Sequence, residues 1–105
     1  MAALIAVVTT VATIDDARHM ARSLVERKLV ACAQIESIES FYEWDGQVNG
    51  EPEQRLLLKT TEDRYAEVES AIREMHGYAL PAIHALPVAH AFGPYADWVA
   101  KGSAP

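Results

Sequence analysis

The sequence predicts an α+β fold with the order β-α-β-β-α-β, a long hairpin joining the second and third strands, and a short helix at the end. Three observations carry that expectation. Leu4-Ile-Ala-Val-Val-Thr-Thr10 and Leu56-Leu-Leu58 are continuously apolar and read as strands buried on both faces. Ile14, Ala17, Met20, Ala21, Leu24 and Val25, and again Tyr65, Val68, Ala71, Ile72 and Met75, recur at helical spacing. Between the two helices, the run from Leu29 to Gln47 and the segment Glu53 to Thr61 that answers it flank a cluster of turn signals. This is the split-βαβ, or ferredoxin-like, pattern. Right-handed crossovers then place strands one and three at the centre of the sheet and strands two and four at its edges.

In chain order, the apolar opening Met1 to Val8 has no basic stretch before it and no small-residue cleavage site behind it, so it reads as a strand rather than a signal peptide. Thr13-Ile-Asp-Asp16 has the form of a capping box and starts the first helix, which ends near Lys28. In the hairpin, Ala31, Ala33 and Ile35 alternate with Cys32, Gln34 and Glu36, and then Ile38, Tyr42 and Trp44 take over the apolar set. That change of parity predicts a bulge around Glu36 to Glu39. Asp45-Gly46 and Asn49-Gly50 predict one loop closed by Pro52. Thr61-Glu-Asp63 caps the second helix, with Gly77 as a left-handed stop. Ala82 to His90 is the fourth strand, and Pro87, which has no amide to donate, belongs on an edge. Gly93 to Lys101 is the short last helix, and Gly102 to Pro105 reads as frayed.

The 105 residues make one domain, 1–105, without repeats or linkers. A formal net charge of -6 argues against nucleic acid and anionic membrane surfaces as partners, since both need a basic face. No apolar run approaches the roughly 20 residues of a membrane span. A single cysteine, Cys32, excludes an internal disulfide and fits a reducing, cytoplasmic compartment. Both predicted edge strands lack the lysines that blunt an edge, and Phe41, Tyr42 and Trp44 extend beyond what a core this small covers. Self-association through edges and hairpins follows.

Enzyme signatures are missing: there is no Gly-rich phosphate loop, no Gly-x-Ser-x-Gly elbow and no nucleophile beside a base. Glu43, Asp45, Glu51 and Glu53 around the hairpin loop read as a solvated rim rather than as catalytic groups. Cys32 reads as a small buried hydrophobe or as a soft ligand for copper or zinc. His19 reads as solvated, and His76 as a charge at the end of the second helix. His84 and His90 are too far apart along one strand to share a metal ion. Lys59 is the one charge inside an apolar central strand; it either snorkels to the sheet edge or anchors an anion between subunits.

Ala31-Cys-Ala-Gln-Ile35, Ser40-Phe-Tyr-Glu-Trp-Asp-Gly46, Leu58-Lys-Thr60, His76-Gly-Tyr78, Leu80-Pro-Ala-Ile83 and Tyr95-Ala-Asp-Trp98 together resemble the CutA family of divalent-cation tolerance proteins over nearly the whole chain. The resemblance implies a ferredoxin-like subunit in a very stable homotrimer, related in architecture to the PII signalling proteins, with hairpins and edge strands packed between subunits. It implies copper or another divalent cation as the cofactor, at a site carried over to Cys32, His76 and position 82. The chain departs from the family pattern at two places: Gly77 stands for a proline and Ala82 for a glutamate. His84, on the strand face of Ala82, is the replacement ligand expected. The resulting expectation is a non-enzymatic, cytoplasmic trimer in the response to metal ions, with a metal set of Cys32, His76 and His84. The alternatives are a PII-like sensor of a small anion or nucleotide in the inter-subunit cleft, through Tyr42, Trp44, Lys59 and Tyr78, and a purely structural trimer.

Overall fold

The computed structural model describes residues 3–105. Strand β1 (Leu4–Val11) is followed by helix α1 (Ile14–Glu26), the hairpin of β2 (Cys32–Trp44) and β3 (Gln47–Thr61), a single 3-10 turn (Glu62–Arg64), helix α2 (Tyr65–Met75), strand β4 (Ile83–Pro87) and helix α3 (Gly93–Gly102). The sheet runs β2-β3-β1-β4 and every pairing is antiparallel. This is the ferredoxin-like arrangement, with the two run-on apolar strands in the middle and Pro87 at the end of an edge strand.

The sequence sets the sheet's two faces through the period of two. Ile5, Val7, Val11, Leu56 and Leu58 point to one side, where Ala17, Met20 and Leu24 of α1 and Val68, Ala71 and Ile72 of α2 close over them. Each large side chain removed from water there contributes about 1.5–3 kcal/mol. The Thr13 hydroxyl accepts from the Asp16 amide at 3.1 Å, as the capping box predicts. The opposite face carries Cys32, Lys59, Ala6 and Leu86 in one cross-strand row and Gln34, Leu57, Val8 and His84 in the next. Helix α3 lies on this second face: Val99 is fully buried and the Tyr95 hydroxyl stands 3.7 Å from the Cys32 sulfur.

Several local expectations are corrected. No bulge interrupts β2, which keeps one register with β3 from Cys32 opposite Lys59 to Trp44 opposite Gln47. The apolar set changes parity because β2 leaves the helix-covered core, so either face can carry apolar residues beyond it. The turn is Asp45-Gly46 alone, with φ of 53° and 76°, the two positive values that a two-residue hairpin turn of the favoured hand requires. Asn49, Gly50 and Pro52 belong to β3, and Gly50 pairs with Phe41, whose ring occupies the space a side chain at 50 would take.

Thr61 does not cap a helix amide; its hydroxyl bonds the Asp63 carboxylate instead. Gly77 is not left-handed, because α2 ends on His76 in an extended conformation. Strand β4 stops at Pro87, so His90 is off the sheet. The chain end is not frayed at Ser103, which is fully buried with its hydroxyl donating to the Val99 carbonyl at 2.8 Å.

Candidate functional site

A concavity lies where the projecting end of the hairpin meets the segment after α2. It has a volume of about 780 Å³ and is lined by Thr10, residues 40–44, Glu51, Glu53, residues 77–80 and Ala82. Because β2 and β3 hold a single register, Tyr42 and Trp44 share a face with Glu51 and Glu53. The fourth wall is fixed by His76. Its Nε2–H donates to the Thr10 carbonyl at 2.8 Å, and its Nδ1 accepts the Tyr78 amide at 3.2 Å. A carbonyl only accepts and an amide only donates, so the two contacts together select one tautomer. His76 thus acts as a strut between β1 and the segment that brings Tyr78 in, a role different from the helix-end charge expected of it.

The Tyr78 hydroxyl then donates to Glu53 Oε2 at 2.8 Å. Glu53 is only 8% exposed, so it is no solvated rim residue. Burial, and next the bond to Glu53, hold the Tyr78 phenol well above its usual range. Tyr42 is raised too, first by its hydrogen bond to Glu51. The Tyr78 phenol is thus fastened to a carboxylate at the side of the groove, and Tyr42 lies near Glu51. Among the described residues, the charged ones that line it are Glu43, Glu51 and Glu53.

Of the four residues expected in a cleft, Tyr42, Trp44 and Tyr78 converge here. Lys59 does not: it sits in the row of Cys32, with its Nζ donating to Gln34 Oε1 at 3.1 Å. Glu51 and Glu53, expected as a solvated rim, line the groove, and Glu53 is buried in it. The signal that finds them is their spacing of two, which puts both on the face of Tyr42 once the turn is assigned to Asp45-Gly46.

The expected metal ligands are dispersed within one subunit. Cys32 is half-buried on β2, beside Tyr95, whose ring stacks on Trp98 at 6.0 Å between centroids. Burial and then the neighbouring thiol raise the Tyr95 phenol. His84 is exposed on β4, three strands away and two residues along, roughly 15 Å from Cys32 at ordinary strand spacings. His76 has both ring nitrogens engaged at the far end of β1. Among the described residues, no group of three or more His, Cys, Asp or Glu side chains is placed to hold a metal ion.

Fold and groove define a small ferredoxin-like protein distinguished by an overlong hairpin. The model of the CutA1 divalent ion tolerance protein family matches residues 5–102. The divalent-cation tolerance protein CutA of Thermus thermophilus is 36% identical over 92% of this chain and 95% of its own, and that of Archaeoglobus fulgidus is 33% identical over 86% and 88%. The crystal structure of the divalent ion tolerance protein CutA1 from Ehrlichia chaffeensis superposes with a TM-score of 0.94 at 33% identity, covering 100% of this chain and 99% of that one. CutA from Synechococcus elongatus gives 0.94 at 33%, over 99% and 93%. The chain belongs to the CutA divalent-cation tolerance family.

Proposed function

We propose that this protein works as a non-enzymatic homotrimer in the cytoplasmic response to divalent metal ions. The observation that carries the assembly is the outer edge of β2. Thirteen residues long, it is paired among the described residues only with β3, while Phe41 and Trp44 near its end are 69% and 54% exposed. An open edge and exposed aromatic rings together favour contact with further copies. The family name supports the link to divalent cations, and no helix among the described residues is long and apolar enough to cross a membrane.

Copper or another divalent cation binds through Cys32, the one thiol, with further ligands drawn from other subunits, because His76 and His84 stand apart from it in a single chain. The alternative is a small-anion or nucleotide sensor in the inter-subunit cleft; within one chain Tyr42, Trp44 and Tyr78 line a common groove, and Lys59 lies outside it, so that reading takes its cation from a neighbouring subunit.

The test is native mass spectrometry of the intact oligomer during titration with Cu(I) under reducing conditions, in the wild type and in Cys32→Ser. A trimer taking up one equivalent per subunit, lost in the variant, supports the reading. A trimer that takes up no metal leaves the structural-scaffold alternative, and a monomer defeats the assembly.

A further inference from the structure

We propose that His76 is a positioning residue that holds Tyr78 against Glu53, and that it is not a ligand of the metal in any subunit of the assembly. A metal site carried on Cys32, His76 and position 82 does not fit the residues present. Position 82 is alanine, whose side chain has no donor atom. The imidazole of His76 has both nitrogens spent. The exclusion presupposes that metal binds at Cys32, whereas the positioning role stands without any metal.

A metal ion takes the lone pair of a neutral ring nitrogen. At His76 that lone pair is on Nδ1, where it receives the Tyr78 amide at 3.2 Å. The other nitrogen, Nε2, carries the proton and donates it to the Thr10 carbonyl at 2.8 Å. Exchanging the tautomer frees neither nitrogen, because it sets a ring N–H against the amide N–H and a lone pair against the carbonyl oxygen. To reach a metal ion the ring has to swing out, breaking both bonds and parting from the Tyr78 ring, whose centroid lies 4.9 Å away.

Each of these contacts lies inside one subunit, so it recurs in every copy and does not depend on how the copies meet. Assembly brings side chains of other copies toward Cys32, but it releases no lone pair on an imidazole that its own chain has engaged. His84 is placed differently: it is exposed on β4, on the sheet face that carries Cys32. What His76 does instead follows from its place at the end of α2. The helix stops there in an extended conformation, with φ of -82° and ψ of 136°. The two ring bonds then tie the residues that follow to β1, and two positions on the Tyr78 hydroxyl reaches Glu53 at 2.8 Å.

The test adds Cu(I) to the intact oligomer under reducing conditions. In nitrogen-15 NMR the two ring signals of His76 are expected to keep their positions at saturating metal. Cu(I) affinity, read by competition with a colorimetric chelator, is expected to change by less than about twofold in His76→Gln, whose amide group still supplies a donor for Thr10. Movement of the Nδ1 or Nε2 signal to a metal-bound position, or an affinity loss of about tenfold or more in the variant, overturns the exclusion. The positioning role is read from His76→Ala and Tyr78→Phe combined in a double-mutant cycle of urea unfolding. Losses that fall short of additive are expected, since both variants loosen the same contact with Glu53, and additive losses overturn the role. A wild type that takes up no Cu(I) defeats the metal reading of Cys32 and leaves the cycle to decide for or against the positioning role.

Discussion

The hydroxyl of Tyr78 and the carboxylate of Glu53 meet at 2.8 Å across 25 positions of sequence, fastening the segment after α2 to the third strand. Glu53 is buried, so Tyr78→Phe leaves a carboxylate without its donor. An unsatisfied buried acceptor costs about 1–3 kcal/mol, and urea unfolding of the variant is expected to show a loss in that range. A midpoint equal to wild type would mean that water replaces the phenol.

The same pair makes stability fall in alkali. Tyr78 holds its proton more tightly folded than unfolded, because burial and Glu53 both disfavour the phenolate. Its contribution is complete below the ordinary tyrosine value of about 10 and is lost as pH rises beyond it, since the unfolded chain then binds fewer protons. Above that value the wild type should lose stability more steeply than Tyr78→Phe. Parallel curves would show that the phenol does not couple folding to pH.

His76 yields a spectroscopic expectation. With Thr10 as acceptor and the Tyr78 amide as donor, the ring carries its proton on Nε2. Nitrogen-15 NMR of the imidazole should show a protonated Nε2 and an unprotonated Nδ1. The reverse assignment would mean that the strut between β1 and the groove wall is not formed.

Two glycines are expected to respond in opposite ways. Gly77 has open space around it and no left-handed backbone, so Gly77→Ala should stabilise by about 0.4–1 kcal/mol through the unfolded chain. At Gly102 a Cβ would stand 2.9 Å from the Cβ of Ala31 and 3.3 Å from its Cα, so Gly102→Val should cost about 1–3 kcal/mol. Thermal unfolding of the pair checks both, and a tolerated Gly102→Val would show that α3 lifts off the sheet easily.

Lys28 sits at φ 58°, with its carbonyl receiving Nη2 of the buried Arg64 at 3.4 Å. A non-glycine residue in that region is strained by about 1–2 kcal/mol, and Lys28→Gly should recover up to about 1 kcal/mol after the added chain entropy. A destabilised glycine variant would mean that the lysine stem contributes packing to this turn.

The central strands, both helices and the edge position of Pro87 were legible because each rests on a local signal: an apolar run, a helical stripe, a missing amide. The hairpin misled because two turn dipeptides compete within six residues, and only cross-strand pairing decides between them. Asn49-Gly50 loses because Gly50 is needed under the ring of Phe41. The groove was half legible. Its aromatic residues stood out as uncovered, whereas Glu53 looked solvated until Tyr78, brought in by a histidine strut, closed over it. No spacing in the sequence states that a ring nitrogen will receive an amide two residues on while its partner donates to a strand 66 residues earlier.

The place of β1 in the sheet has a consequence for biosynthesis. The strand is buried on both faces, yet its hydrogen-bonding partners arrive late: Leu4 pairs with Thr61, and Ile5 with Pro87. At about 5–20 residues per second, the ribosome leaves this apolar strand without either neighbour for several seconds. During that interval its only ready cover is α1, whose stripe from Ala17 to Leu24 emerges directly after it. A capped, strongly amphipathic first helix therefore serves the nascent chain as a temporary shield, and weakening it should raise aggregation during synthesis more than it lowers the stability of the finished protein.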